Sequence, residues 1–411
     1  MPSTPRPSDA RHSAIIRIEL VLTSLPFDAG RRDASTDKSE SIDSFNASSK
    51  TFTAMESLMV AVTTADGVTG WGEAFGHKTN PATWAALEQM VAPFFIGQPA
   101  DPAAVRRDAE YAFHAFGRTG PVHYALSAID IALWDIAAQR EELPLRSFIA
   151  QRRDHTAAPR ESVRTYASLV HYGEDPVEVA FHIARARADG FTAFKLHEST
   201  RDAIAAARRA AGAEARLMVD VNCAWDEAGA DAALSGLADL NLHWLEEPVF
   251  PPDDSPALAR LNRRHGVVSA GENASGVHGL VADMTAGAVS VAQPSVGKIG
   301  GITSMLEVYD AGARLGVPVV PHNFYYGPAL AAAAQVIAAM PVQLAGDGSP
   351  HPELEVPFLT WPQRLHSLHG AHQDDSGADA SAVVLPSAPG LGFAPDPDIL
   401  EAATIRRAKI S

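Results

Sequence analysis

A chain of 411 residues, 46% hydrophobic and 20% charged, can bury a large core and exceeds the usual size of one domain, so a large domain with an accessory one is expected. Its 33 Lys and Arg against 49 Asp and Glu leave a net charge of −16, which argues against nucleic acid or an anionic membrane as partner but leaves room for a small anionic substrate in a cleft of opposite local charge. One cysteine, Cys223, cannot build a disulfide framework, and no stretch reaches the roughly 18 apolar residues of a membrane span.

The N-terminal stretch MPSTPRPSDARHSAIIRIELVL lacks the basic start, apolar run and small-residue cleavage site of a signal peptide, so a cytoplasmic setting is expected. The first 150 or so residues read as a mixed α+β module. AIIRIELVL (14–22) and SLMVAVTTADGVTGWGEA (57–74) have strand character, with Asp66-Gly67 as a hairpin turn. Helical patterns follow at about 81–95, 102–116 and 122–141. Between the first strands, six of the eighteen residues of DASTDKSESIDSFNASSK (33–50) are serine, which reads as a solvated loop or a mobile lid.

From about residue 163, short apolar runs alternate with Ala-rich helical segments. The runs are RTYASLV (164–170), AFKLH (193–197), RLMVDVN (216–222), HWLEE (243–247), VVSAGEN (267–273), VSVAQPS (289–295), PVVPHN (318–323) and ELEVP (353–357). Such alternation predicts parallel strands with helical crossovers, and eight strands fit a closed barrel better than an open sheet. Lys195, Asp220, Glu246, Glu272, Ser295 and His322 end successive runs at intervals of 25, 26, 26, 23 and 27 residues, each about one βα unit. In a parallel barrel those ends share one rim, where such barrels place their chemistry.

Three carboxylates converging from consecutive strands, Asp220, Glu246 and Glu272, repel one another unless a cation lies between them. Oxygen ligands without Cys or His suit a hard divalent ion, and Mg²⁺ keeps positions open for water and substrate. Lys195 and His197 stand two places apart on one face of their strand, a cation to polarise an anionic oxygen and an imidazole to exchange a proton. His322 ends the seventh run, across the barrel. Glu355 ends the eighth and can bond the substrate carboxylate, although Glu353 lies on the same face and competes for that assignment.

The ordered set FKLH, MVDVN, WLEEP, SAGEN, QPSVGKIGG and VVPHNF, with SAIDIALWDI (127–136) before it and PSAPGLGF (386–393) after it, resembles the enolase superfamily, in its mandelate racemase and acid-sugar dehydratase branch. The resemblance spans nearly the whole chain. It implies an α/β fold, a (β/α)7β TIM-like barrel with an N-terminal α+β capping domain, divided as 1–160 for the cap, 161–365 for the barrel and 366–411 for a C-terminal segment returning to the cap. It also implies one Mg²⁺ on Asp220, Glu246 and Glu272, a homo-oligomer, and abstraction of the proton α to a carboxylate through an enolate, the chemistry by which a side-chain base and Mg²⁺ act together in this superfamily.

Two departures bear on the reaction. Many relatives carry Lys-x-Lys on the second strand, where this chain has Lys195-x-His197, so histidine must act on that side. Alignment on KIGG (298–301) puts Ser295 where an Asp commonly orients the seventh-strand His, so His322 is expected to lack a carboxylate partner and to serve as an acid. Candidate substrate contacts are Asn222 and Ser295 on the barrel and, in the cap loops, Phe27, Arg31, Arg32, His77, Lys78 and Asn80. The expected activity is dehydration of an aldonate or aldarate, a small hydroxy-carboxylate, to a 2-keto-3-deoxy acid. Racemisation, epimerisation or lactone cycloisomerisation, and a non-catalytic binding protein on the same scaffold, are the alternatives.

Overall fold

A computed structural model of the chain describes residues 13–31, 53–153, 158–371 and 380–411; the serine-rich segment 33–50 and Arg32 lie outside the described residues. Strands β1 (Ile15–Pro26), β2 (Ala54–Thr64) and β3 (Thr69–Ala74) form an antiparallel sheet, completed by the C-terminal strand Thr404–Ile410 alongside β1. Asp66-Gly67 makes the β2–β3 turn as expected, with Thr64 N donating to Val68 O at 3.0 Å and Gly67 at φ +86°. The helix Pro121–Arg140 lies against this sheet so closely that a Cβ on Gly72 would run into the carbonyl of Ala128.

The rest is a (β/α)7β barrel. Strands β4 (Ser162–Ser168), β5 (Ala193–Leu196), β6 (Arg216–Asp220), β7 (Trp244–Glu246), β8 (Val268–Ala270) and β9 (Val291–Ala292) are parallel neighbours in chain order, and β10 (Leu354–Pro357) pairs with β4 on the other side. The seventh place, expected as a strand over 318–323, is held by two parallel bridges, Ala292–Val319 and Ser295–His322, rather than a ladder. Pro318 and Pro321 bring no N–H to a ladder, which accounts for the interruption. Asn323 links this run to β10, donating from N to Glu355 Oε2 at 2.8 Å and from Nδ2 to Glu355 O at 2.9 Å.

The outer helices start and stop on local signals. Asp175, Asp226 and Asp254 accept backbone N–H groups from Val177, Gly229 and Ala257 at 2.8, 2.8 and 3.1 Å. Gly266 and Gly316 end their helices in the left-handed conformation, at φ +71° and +70°.

Buried carboxylates seat the cap on the barrel. Asp130, on the long cap helix, accepts from Thr303 N at 2.9 Å and from its hydroxyl, at the start of the barrel helix Gly301–Leu315. Glu73, on β3, accepts from Ala329 N at 2.8 Å, at the start of the helix Pro328–Ala339. Asp135 joins Trp71 N and Leu391 N, each at 2.8 Å. Helix N-termini favour such acids. Burial nevertheless outweighs these bonds and pushes Asp130 and Glu73 up to about 7 and Asp135 up to about 6.

Candidate active site

The barrel floor is apolar, and each floor residue stands two places before a polar one. Ala193, Met218, Trp244, Val291 and Val320 cluster with Tyr166, and two residues further along lie Lys195, Asp220, Glu246, Gln293 and His322. Residues i and i+2 of a strand share a face. The second set therefore forms the next layer up, at the C-terminal rim of the barrel.

Lys195 is fully buried at the centre of this layer. Its Nζ is 3.2 Å from Asp220 Oδ2, 3.2 Å from Glu246 Oε2 and 2.7 Å from Glu355 Oε1. Burial alone would strip the charge, but the three carboxylates more than offset it and hold the amine well above its ordinary range. Asp220 also accepts from Asn222 N at 3.0 Å and from the Asn222 side chain. Burial pushes against its ionisation, yet Lys195 and then His197 keep its carboxyl below the usual range.

Glu246 is placed differently. Its Oε2 accepts from Gln293 Nε2 at 2.9 Å, while its Oε1 has no hydrogen-bond partner. Burial, then the negative charge of Asp220, pushes its carboxyl well above the usual range. Glu272 lies across from it, with Oε1 3.1 Å from Lys298 Nζ and Oε2 2.7 Å from His322 Nδ1. His322 Nδ1 is also 3.3 Å from Glu355 Oε2; both are close contacts without hydrogen-bond alignment.

His197 directs Nδ1 to the carbonyl of Leu169 and Nε2 toward Asp220 Oδ2, 3.6 Å away. Burial would lower its pKa, but the nearby Asp220 carboxylate and the Leu169 carbonyl together raise it.

Several expectations change on contact with these positions. His322 does not lack carboxylates, because Glu272 and Glu355 both approach it. Ser295 does not orient the imidazole: its hydroxyl pairs with the Tyr325 hydroxyl at 2.6 Å, and the layer residue from the sixth strand is Gln293. Among the described residues, the three His and carboxylate donors that all lie within 4.8 Å of one another belong to Glu246, Glu272 and His322. Asp220 stands outside that group, held by Lys195 and Asn222. Glu353 is one layer too low for the site, bound to Arg160 and to Arg164 Nη2 at 3.1 Å.

Among the described cap candidates, His77 is the one that reaches the charged cluster. Burial, then the positive charge of Lys298 and His322, brings it down to about 4, and its ring packs 5.5 Å from Phe75 and 6.4 Å from Phe324. Phe27 packs edge-on against Trp361 at 5.6 Å, and Arg31 donates to His171 O at 2.9 Å, so both join cap to barrel outside the charged layer. Asn80 donates to Glu56 at 2.8 Å, within the cap. Lys78 is exposed.

Four carboxylates in this layer, Asp220, Glu246, Glu272 and Glu355, face two ammonium groups, Lys195 and Lys298. The excess is negative, the donors are mostly hard oxygens, and the buried Glu246 Oε1 has neither a hydrogen bond nor an ammonium against it. That donor set fits a divalent cation such as Mg²⁺.

A (β/α)7β barrel with acids converging at its mouth beneath an α+β cap is the architecture of one superfamily of enzymes. Residues 178–399 match the family described as enolase C-terminal domain-like, and residues 35–150 match the mandelate racemase / muconate lactonizing enzyme N-terminal domain. The chain belongs to the enolase superfamily, in the mandelate racemase and muconate lactonizing enzyme branch. It is 32% identical over 368 residues to D-galactarolactone cycloisomerase of Agrobacterium fabrum, covering 87% of this chain and 93% of the relative. It is 29% identical over 262 residues to 3,6-anhydro-alpha-L-galactonate cycloisomerase of Streptomyces coelicolor, covering 62% and 70% of the two chains. The same fold is seen in L-talarate dehydratase from Polaromonas sp. JS666, complexed with Mg and L-glucarate, at TM-score 0.74 and 22% identity over 97% of this chain and 99% of that one.

Proposed function

We propose that the protein removes the proton α to the carboxylate of a hydroxylated acid and expels the oxygen on the β carbon, dehydrating an aldonate or aldarate to a 2-keto-3-deoxy acid. One observation carries this reading: His197 and His322 flank the buried Lys195 and carboxylate layer and share no partner, one contacting Leu169 and Asp220, the other Glu272 and Glu355. Glu246 and Glu272 would hold Mg²⁺, joined by Asp220 once its carboxylate turns from Lys195 and Asn222, and the ion's charge would lower the cost of forming an enolate next to a carboxylate.

The residues divide the remaining work. A backbone carbonyl only accepts, so the bond to Leu169 keeps a proton on His197 Nδ1, and in the neutral ring the Nε2 lone pair, otherwise turned toward Asp220, is the base. The α C–H proton goes to that nitrogen, its electron pair becomes the Cα=Cβ bond, and the β C–O bond breaks. His322 gives its proton to the departing oxygen, which leaves as water, and the enol product takes up a proton at C3 to become the keto acid. Lys195, fixed by three carboxylates, keeps a cation beside the reacting carboxylate.

Lactone cycloisomerisation is a second activity, favoured by the similarity to D-galactarolactone cycloisomerase over 87% of the chain. There the same α-proton is lost but the leaving group is the lactone carboxylate, which departs without an acid. Incubating the purified protein and Mg²⁺ with a library of sugar acids and their lactones, and detecting 2-keto acids with semicarbazide, separates the two. Turnover of free acids supports dehydration, turnover of lactones alone supports cycloisomerisation, and a silent screen overturns both.

A further inference from the structure

Glu272 differs from the other two acids of the proposed metal site. Lys195 touches Asp220 and Glu246, whereas Glu272 is held by a second ammonium that is not among the residues singled out from the sequence. Lys298 follows β9 in the KIGG turn and is nearly buried. Its Nζ lies 3.1 Å from Glu272 Oε1, 3.0 Å from Asn273 Oδ1 and 4.0 Å above the centre of the Phe75 ring. Its donors are thus directed to a carboxylate, an amide oxygen and an aromatic face.

Each of these partners is itself fixed. Asn273 turns Nδ2 to both oxygens of buried Glu247, at 3.0 and 2.8 Å, and to Glu272 Oε1 at 3.2 Å, which leaves Oδ1 for the ammonium. Glu247 has no part in the proposed reaction, and its carboxylate orients this amide. Phe75 belongs to the cap, and its N–H donates to Gly297 O at 3.1 Å, one residue before Lys298. A Cβ on Gly297 would press on the Tyr325 hydroxyl and on Phe75 N, so only glycine lets the cap come this close.

We propose that Lys298 is a positioning residue that fixes the carboxylate of Glu272 for a divalent cation, with Phe75 transmitting the seating of the cap to that carboxylate. This rests on Glu246 and Glu272 being metal ligands. Lys298 holds Oε1, and the other oxygen, Oε2, is the one that points to His322. An ammonium beside a ligand acts on a metal in two opposite ways: its charge repels the ion, and its hydrogen bond preorganises the ligand. Asn273 and Phe75 clamp Lys298 in place, so preorganisation wins.

The sign of the effect on Mg²⁺ affinity decides between the two, and calorimetric titration of the full chain reads it without any substrate. Lys298→Met is expected to weaken Mg²⁺ binding about 10- to 100-fold, the usual range for residues that orient a ligand. Lys298→Arg should retain most of the affinity. Phe75→Leu should weaken it less than Lys298→Met does, with thermal unfolding in EDTA close to wild type. Mg²⁺ binding in Lys298→Met that is unchanged or tighter would overturn the proposal, since the lysine would then be only a repelling charge. If Lys298→Met does not fold, Phe75→Leu decides: weaker binding sustains the proposal and unchanged binding overturns it. Glu246→Gln is the control, because binding that survives in it refutes the metal site itself rather than the role of Lys298.

Discussion

Replacing Glu246 with Gln should abolish the stability that Mg²⁺ adds to the protein while leaving the metal-free protein nearly as stable as wild type. Glu246 is buried, one of its oxygens has no partner, and burial and Asp220 both oppose its ionisation. A glutamine amide there keeps an acceptor for Lys195 and gains a donor that Gln293 Oε1, also unpartnered, can accept. In EDTA the exchange should therefore cost no more than about 1 kcal/mol in either direction. With Mg²⁺ at a hundred times its Kd, wild type gains about 2.7 kcal/mol and the variant gains nothing. For 411 residues unfolding at about 2.1 cal/mol/K each, or about 0.9 kcal/mol/K, that is a rise of about 3 °C in Tm for wild type alone. Differential scanning calorimetry with and without Mg²⁺ reads both numbers. An equal Mg²⁺-dependent rise in Glu246→Gln would refute the assignment of the metal to this layer.

His197→Asn should abolish exchange of the α-proton with solvent and lower turnover by at least about 10²-fold, while His322→Asn keeps slow exchange but loses elimination; proton NMR in D₂O follows both. Asp130 sits in the folded protein at about 7 against an ordinary 3.8, so the stability it contributes is complete below about pH 4 and is lost as pH rises through about 7. Asp130→Asn should flatten the fall of Tm between about pH 4 and 7, as measured by calorimetry; an unchanged slope would mean that this carboxylate is not what titrates at the cap–barrel junction.

What the sequence showed and what it hid follow from one distinction. The two-residue period of a strand and the spacing of the βα units placed Lys195, Asp220, Glu246 and His322 on one rim, because both are properties of the backbone. Depth along the barrel axis is not. Glu353 and Glu355 share a face, and only the stagger between β10 and β4 puts one beside Arg160 and the other beside Lys195. The same ambiguity hid Gln293: Ser295 also lies two places along, and alignment on KIGG pointed to it, yet its hydroxyl belongs to Tyr325. Lys298 stood in that quoted motif, but its role depends on Phe75 arriving from the other domain, a contact between residues more than two hundred positions apart. The cap carboxylates Asp130 and Asp135 lay within SAIDIALWDI in the same way, legible as a helix and not as a docking surface.

The central claim is that α-proton removal is followed by loss of a β-oxygen. Its most direct test is to run the reaction of a substrate from the screen in D₂O with Mg²⁺ and to examine product and recovered substrate by NMR and mass spectrometry. The expected result is a keto-deoxy acid with deuterium at C3 and little label in unreacted substrate, since elimination drains the enolate forward. Recovered substrate that is deuterated and inverted at the α carbon, with no keto acid formed, would contradict the claim and establish racemisation instead.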